Sequence, residues 1–161
     1  MFSNMKKEIV VIANRIRSLH NVGSIFRTAD AIGVKKIYLI GKMATPKNQP
    51  KLSKTALSAE KTVDWEHSNR ISPILEKLKN DGFEIVALEL NKNKSVDFRA
   101  WNRKEKVAII LGNEVSGISL KIQNQCDKVV HLPMLGKKKS LNVSVSFGAI
   151  AYYLLQTNPQ K

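Results

Sequence analysis

The strongest constraint on this chain is a recurring alternation. Short apolar runs rich in β-branched residues are followed by stretches with helical spacing and a glycine or proline stop. Glu8-Ile-Val-Val-Ile-Ala13, Lys36-Ile-Tyr-Leu-Ile40, Glu84-Ile-Val-Ala-Leu-Glu-Leu90, Lys106-Val-Ala-Ile-Ile-Leu111 and Lys128-Val-Val-His-Leu132 read as buried strands, with a shorter one at Thr62-Val-Asp-Trp-Glu66. Between them, Asn21–Ile32 places Ile25, Phe26, Ala29 and Ile32 on one helical face. Asn21 or Ser24 is its expected N-cap and Gly33 its stop. Ile71–Asn80 turns Ile71, Ile74, Leu75 and Leu78 inward, Ile118–Gln125 is a short helix, and Leu141–Leu155 closes the chain as an apolar one. Residues 42–60 combine two prolines with several lysines and read as a long basic loop, with a turn of helix around Thr55–Glu60. Strands alternating with helices predict an α/β domain whose mostly parallel sheet is covered by helices on both faces. A length of 161 residues suits one such domain, residues 1–161.

Charge and cysteine usage narrow the function. Lys and Arg total 27 against 13 acids, a net charge of +14. A surplus this large points to a polyanionic partner, because each neutralised phosphate releases counterions; the plain alternative is a solvated basic face. Cys126 stands alone, which excludes an internal disulfide framework and fits a reducing, cytoplasmic setting. His20, His67 and His131 are scattered, so no metal site is expected. No apolar run approaches the ~20 residues that span a bilayer, and Met1 to Lys7 lead into the first strand without a signal-type apolar segment. A phosphate-cradling G-x-x-x-x-G-K-[ST] loop and a G-x-G-x-x-G turn are both missing, which leaves nucleotide-hydrolase and dehydrogenase readings without support.

Three segments remain. Asn21-Val-Gly-Ser-Ile-Phe-Arg27 follows the first strand; six residues apart, Asn21 and Arg27 would not align closely on a helix alone, whereas a loop-to-helix entry would aim both at one point, with Gly23 permitting close backbone approach. Leu111-Gly-Asn-Glu-Val-Ser-Gly117 is a turn-rich loop at a strand's C-terminal end, where open α/β sheets bind ligands. Leu132-Pro-Met-Leu-Gly136, a lysine triplet and Ser140-Leu-Asn-Val-Ser144 open the last helix, whose first N–H groups are free for ligand contacts. Taken singly, Asn21 and Ser140 explain themselves as helix caps, and Gly112-Asn113 as a turn.

In this order and spacing the three segments resemble the SpoU (TrmH) branch of the SPOUT superfamily of RNA methyltransferases. They match its N-x-G-x-x-x-R, L-G-x-E-x-x-G and L-P-M…S-L-N-V-S motifs, and Lys54-Thr-Ala-Leu-Ser-Ala-Glu60 looks like family sequence too. The resemblance covers roughly residues 8–156. It implies transfer of a methyl group from S-adenosyl-L-methionine to a ribose 2′-hydroxyl in tRNA or rRNA. It also implies an α/β knot with a C-terminal trefoil, and a homodimer with the RNA site across the interface.

Carried over by position, Asn21, Arg27, Glu114, Ser140 and Asn142 correspond to the family's catalytic and site-organising residues. Leu88, Gly112, Gly117, Leu132, Met134 and Leu141 would hold the cofactor. The family assigns proton removal to the arginine matched by Arg27. A guanidinium stays protonated in proteins, so stabilising the forming alkoxide and clamping a phosphate suits it better. For Glu114 the preferred role is to orient Arg27 or the loop, since a carboxylate against the sulfonium would stabilise the ground state more than the transition state. With no separate RNA-binding domain expected, RNA capture falls to the core itself, to residues 42–61 and Lys137–Lys139. The alternatives from other classes are a non-catalytic RNA-binding protein that keeps the knot and an α/β protein binding a small anion at the Ser140 helix start.

Overall fold

The computed structural model describes residues 7–156, so the expectation about the first six residues lies outside it. Among the described residues, seven strands form one sheet: β1 (Glu8–Asn14), β2 (Lys36–Ile40), β3 (Trp65–Ser68), β4 (Glu84–Leu88), β5 (Val96–Asp97), β6 (Lys106–Leu111) and β7 (Lys128–His131). Their order is β3-β2-β1-β6-β4-β7-β5, and every neighbouring pair is parallel. Five helices accompany them: α1 (Leu19–Ala31), α2 (Leu52–Ala56), α3 (Ser72–Asn80), α4 (Leu120–Gln123) and α5 (Val143–Leu155).

The central strands are apolar at nearly every position because both faces are covered. In β1 and β6, Ile9, Val11, Ala13, Val107, Ile109 and Leu111 join a core with Phe26 of α1, Leu52 of α2 and Phe147 of α5. The alternate residues Val10, Ile12, Ala108 and Ile110 join a second core with Leu75 and Leu78 of α3 and with Ile118. Helices therefore lie on both faces, as the alternation predicts. Aromatic packing pins the end of α5: Phe98 meets the Tyr153 ring edge-on at 5.0 Å, and the Arg103 guanidinium lies 4.7 Å over the same ring.

Several boundaries differ from expectation, each for a local reason. Helix α1 starts two residues early because Ser18, not Asn21 or Ser24, is the N-cap and accepts from the Asn21 N–H at 3.2 Å. Asn142, not Ser140, caps α5, its Oδ1 accepting from the N–H groups of Ser144 and Val145 at 2.9 and 3.3 Å. The expected loop 42–60 is partly packed: Leu52 and Ala56 of α2 and Ala59 in a 3-10 turn are buried against α1. The expected strand Thr62–Glu66 shifts to Trp65–Ser68, in register with β2 through Ile37 opposite Trp65. Strand β4 stops at Leu88 because the Glu89 carboxylate takes the N–H groups of Leu90 and Ile118 and turns the chain out of the sheet. Strand β5 is too short to leave a pattern in the sequence.

Candidate active site

The loops at the C-terminal ends of β4, β6 and β7 enclose a cleft of about 790 Å³. This is where an open parallel sheet leaves room for a ligand. Leu88, Gly112, Gly117, Leu132, Met134 and Leu141, the expected cofactor residues, all line it. The two glycines are structurally required. A Cβ on Gly112 would lie 2.7 Å from the Gly117 carbonyl carbon and 2.7 Å from Ile118 Cγ1, and Gly117 holds φ at +64°. The loop thus folds onto itself and leaves the cleft floor open.

Glu114, Ser140 and Asn142 line the same cleft, and buried Asn21 joins it from behind through hydrogen bonds. Asn21 Nδ2 donates to Glu114 Oε1 at 2.9 Å, and Asn142 Nδ2 donates to Asn21 Oδ1 at 3.1 Å. One chain of side chains therefore ties the start of α1, the β6 loop and the cap of α5 together, across sequence separations of 93 and 121 residues. Ser144 Oγ, 3.5 Å from Asn21 Oδ1, also donates to Asn142 Oδ1 at 2.6 Å.

The Glu114 carboxylate accepts the N–H groups of Arg17 and Ser18 at 2.8 and 2.9 Å as well as the Asn21 amide. Burial pushes its pKa up, yet these donors together pull it below the ordinary glutamate value. An ionised carboxylate with its oxygens committed to three donors organises a loop; it is not a free proton acceptor. The partners of Glu114 lie in the turn before α1 and at Asn21; Arg27 is not among them.

Arg27 is the expected residue that the chain does not bring to this cluster. Asn21 and Arg27 sit in one continuous helix, and six residues at about 100° each leave them about 120° apart. The loop-to-helix convergence read from the sequence does not occur, because α1 is already helical at Leu19. Asn21 points inward, whereas exposed Arg27 opens onto a second cleft of about 520 Å³ beside His20, Lys54, Leu57 and Tyr152. Gly23 does serve close approach, but to another helix: a Cβ there would lie 2.3 Å from Thr55 Oγ1.

Two more residues shape the site: Asn113, read from the sequence only as part of a turn, and Glu89, which sequence reasoning missed. Asn113 folds the β6 loop, its Oδ1 accepting from Val115 and Ser116 and its Nδ2 donating to the Arg15 carbonyl at 2.8 Å. Glu89 braces the same loop from β4 through the Ile118 N–H at 2.8 Å. A lone carboxylate at the end of an apolar strand was the available signal. Lys137, Lys138 and Lys139 are exposed, with Leu135 beside them almost wholly in solvent at 97%. Among the described residues, no group of three or more His, Cys, Asp or Glu could hold a metal ion, and no helix is long and apolar enough to cross a membrane.

Comparison with known proteins agrees with this geometry. The profile of the SpoU rRNA Methylase family matches residues 8–152. The tRNA (guanosine(18)-2′-O)-methyltransferase of Aquifex aeolicus is 36% identical over 157 residues, covering 97% of this chain and 72% of its own length. The crystal structure of the A. aeolicus TrmH/SpoU tRNA-modifying enzyme matches with a TM-score of 0.81 at 34% identity, over 93% of this chain and 76% of that one. An AdoMet-bound rRNA methyltransferase from Sinorhizobium meliloti shares the fold, with a TM-score of 0.83 at 23% identity, over 98% of this chain and 62% of that one. The chain is thus similar to these proteins over nearly all of itself and spans 62–76% of their length.

Proposed function

The chain belongs to the SpoU rRNA Methylase family, and from that premise we propose that it transfers a methyl group from S-adenosyl-L-methionine to a ribose 2′-hydroxyl of a structured tRNA or rRNA. One observation carries the reading: every expected cofactor residue lines a single cleft, and the Glu114–Asn21–Asn142 chain is bonded into its wall. The cleft fits the cofactor. Gly112 and Gly117 leave space that a Cβ would fill, while Leu88, Leu132, Met134 and Leu141 supply apolar surface and backbone groups for an adenosine. Bound there, S-adenosyl-L-methionine supplies an electrophilic sulfonium methyl.

The protein's own task is placement and charge. Glu114 holds the β1–α1 turn through Arg17 and Ser18, and Asn21 and Asn142 lock that turn to α5. The reacting groups thus meet a preorganised wall. Ser140, exposed at the cleft's rim, is placed to contact cofactor or ribose. The Arg27 guanidinium stabilises the alkoxide that forms as the 2′-hydroxyl loses its proton to a neighbouring RNA phosphate or water.

Arg27 lines a different cleft from Glu114, so this role requires a second copy of the chain. Helix α5 suggests how the copies meet. Its inner face buries Phe147, Ile150, Ala151 and Leu154, while Val145, Ala149 and Tyr152 form an exposed apolar stripe. Tyr152 also lines the Arg27 cleft. A homodimer formed across α5 covers this stripe and carries Arg27 toward the partner's cofactor cleft. The chain is read as one domain, and the placement of β7 between β4 and β5, before α5 returns to α1, supports a trefoil passage of its C-terminal part. The single Cys126 fits a reducing, cytoplasmic setting for this reaction.

Titration calorimetry with S-adenosyl-L-methionine or its demethylated product tests the cofactor reading. Binding at micromolar concentration, unchanged by chelator, is expected; no heat at high micromolar ligand overturns it. Light scattering across a wide concentration range should give a dimer mass, and a persistent monomer removes the shared site.

A further inference from the structure

One part of the cofactor cleft is built by polar residues bonded to one another rather than to Glu114. Strands β5 and β7 pair with Asp97 opposite His131. Ser95, just before β5, meets the His131 ring, Oγ to Nδ1 at 2.9 Å. The Ser95 hydroxyl donates to the Asn91 carbonyl at 2.7 Å and accepts from the Asn91 N–H at 3.0 Å. With its one proton used there, its remaining lone pair takes the imidazole Nδ1–H. That assigns the proton of the neutral ring to Nδ1 and leaves Nε2 as a bare acceptor. Asn91 Nδ2 donates to Gln123 Oε1 at 2.8 Å, and buried Gln123 donates to the Ile118 carbonyl at 2.7 Å. The wall is therefore braced on both sides. His131, Asn91 and Gln123 line the same cleft as Leu88, Gly112 and Leu132.

We propose that His131 is a nucleoside-recognition residue. Its Nε2 accepts a hydrogen bond from a donor on the adenosine half of the cofactor, the adenine amino group or a ribose hydroxyl. The inference rests on the cofactor reading above and gives a purpose to the otherwise minimal strand β5, which holds Ser95 against the ring.

The test is calorimetry with S-adenosylhomocysteine at pH 7.5. His131→Leu should bind about tenfold more weakly than the wild type, the loss expected of one hydrogen bond. His131→Gln keeps a carbonyl acceptor and should bind nearly as well as the wild type. Analogues separate the two donors: S-inosylhomocysteine lacks the amino group, and the 2′- and 3′-deoxy analogues each lack one hydroxyl. The analogue missing the recognised donor should bind wild type and His131→Leu equally. Equal affinity of the wild type and His131→Leu for S-adenosylhomocysteine overturns the proposal. So does a natively folded His131→Gln that binds as weakly as His131→Leu. If the wild type itself binds no S-adenosylhomocysteine, the cofactor reading fails and this inference falls with it.

Discussion

Replacing Gly23 by alanine sets two known effects against each other. Gly23 lies inside α1, where alanine is favoured over glycine by about 1 kcal/mol. Its missing side chain is also what lets α2 approach. A Cβ there would stand 2.3 Å from Thr55 Oγ1, 2.6 Å from Thr55 Cβ and 3.0 Å from the Ala56 nitrogen. All three atoms belong to a short helix whose Leu52 and Ala56 are fully buried, so relief requires α2 to move as a unit. Overpacking of this kind costs about 1–3 kcal/mol, and the contacts argue for the upper part of that range. The net expectation is a destabilisation of about 1–2 kcal/mol. At about 2–4 °C per kcal/mol for a chain of this size, Tm should fall by roughly 2–8 °C. Circular dichroism melting at one fixed protein concentration measures it. Thr55→Gly removes the two nearest atoms, so the double variant should recover at least about 1 kcal/mol relative to additivity. A Gly23→Ala protein more stable than the wild type, or a cycle with no coupling to Thr55, would refute the packing argument.

Other perturbations separate the parts of the site. Arg27→Ala should abolish methyl transfer in a single-turnover assay while changing cofactor affinity by less than about twofold, because Arg27 lies outside the cofactor cleft; retained turnover on a true substrate RNA contradicts its role. Because the folded-state pKa of Glu114 is lowered, its contribution is complete above the ordinary value of about 4.3 and is lost as pH falls through the lower folded value. Glu114→Gln should therefore cost about 1 kcal/mol in a urea titration at pH 7, modest because the group is exposed, and the cost should shrink toward pH 3; an unchanged gap at both pH values sinks the assignment. Neutralising Lys137, Lys138 and Lys139 together should reduce the log–log salt slope of RNA binding by about two to three, at roughly 0.7–0.9 per phosphate contact. A full slope in that variant moves the RNA surface to residues 42–61.

What was legible in the sequence follows from how local each signal is. Strand β6 was read at its true bounds, Lys106–Leu111, and β1 to within one residue, because central strands buried on both faces leave unbroken apolar runs. Strand β5 left no such run: two residues held by pairing with β7 carry no period. Ser18 and Asn142 were missed as caps because several Ser and Asn residues stand near each helix start, and only backbone geometry chooses among them. The expected cofactor residues converge on one cleft because the loops that carry them meet at one end of the sheet. The split between Asn21 and Arg27 follows from their six-residue spacing once α1 is helical from Leu19. Asn113 was legible only as a turn residue; its bond to the Arg15 carbonyl, like the Glu89–Ile118 and Ser95–His131 contacts, joins positions 29–98 apart in sequence, and no local pattern announces such pairs.

The central claim is methyl transfer to a ribose hydroxyl. The direct measurement incubates the protein with methyl-labelled S-adenosyl-L-methionine and total tRNA and rRNA from cells lacking the corresponding modification, then digests the RNA and identifies the labelled nucleoside. The account predicts label at one position as a 2′-O-methylribose, with the neighbouring 3′-phosphodiester resistant to alkali. Label on a base, or no label on any RNA under conditions in which the cofactor binds, would contradict it.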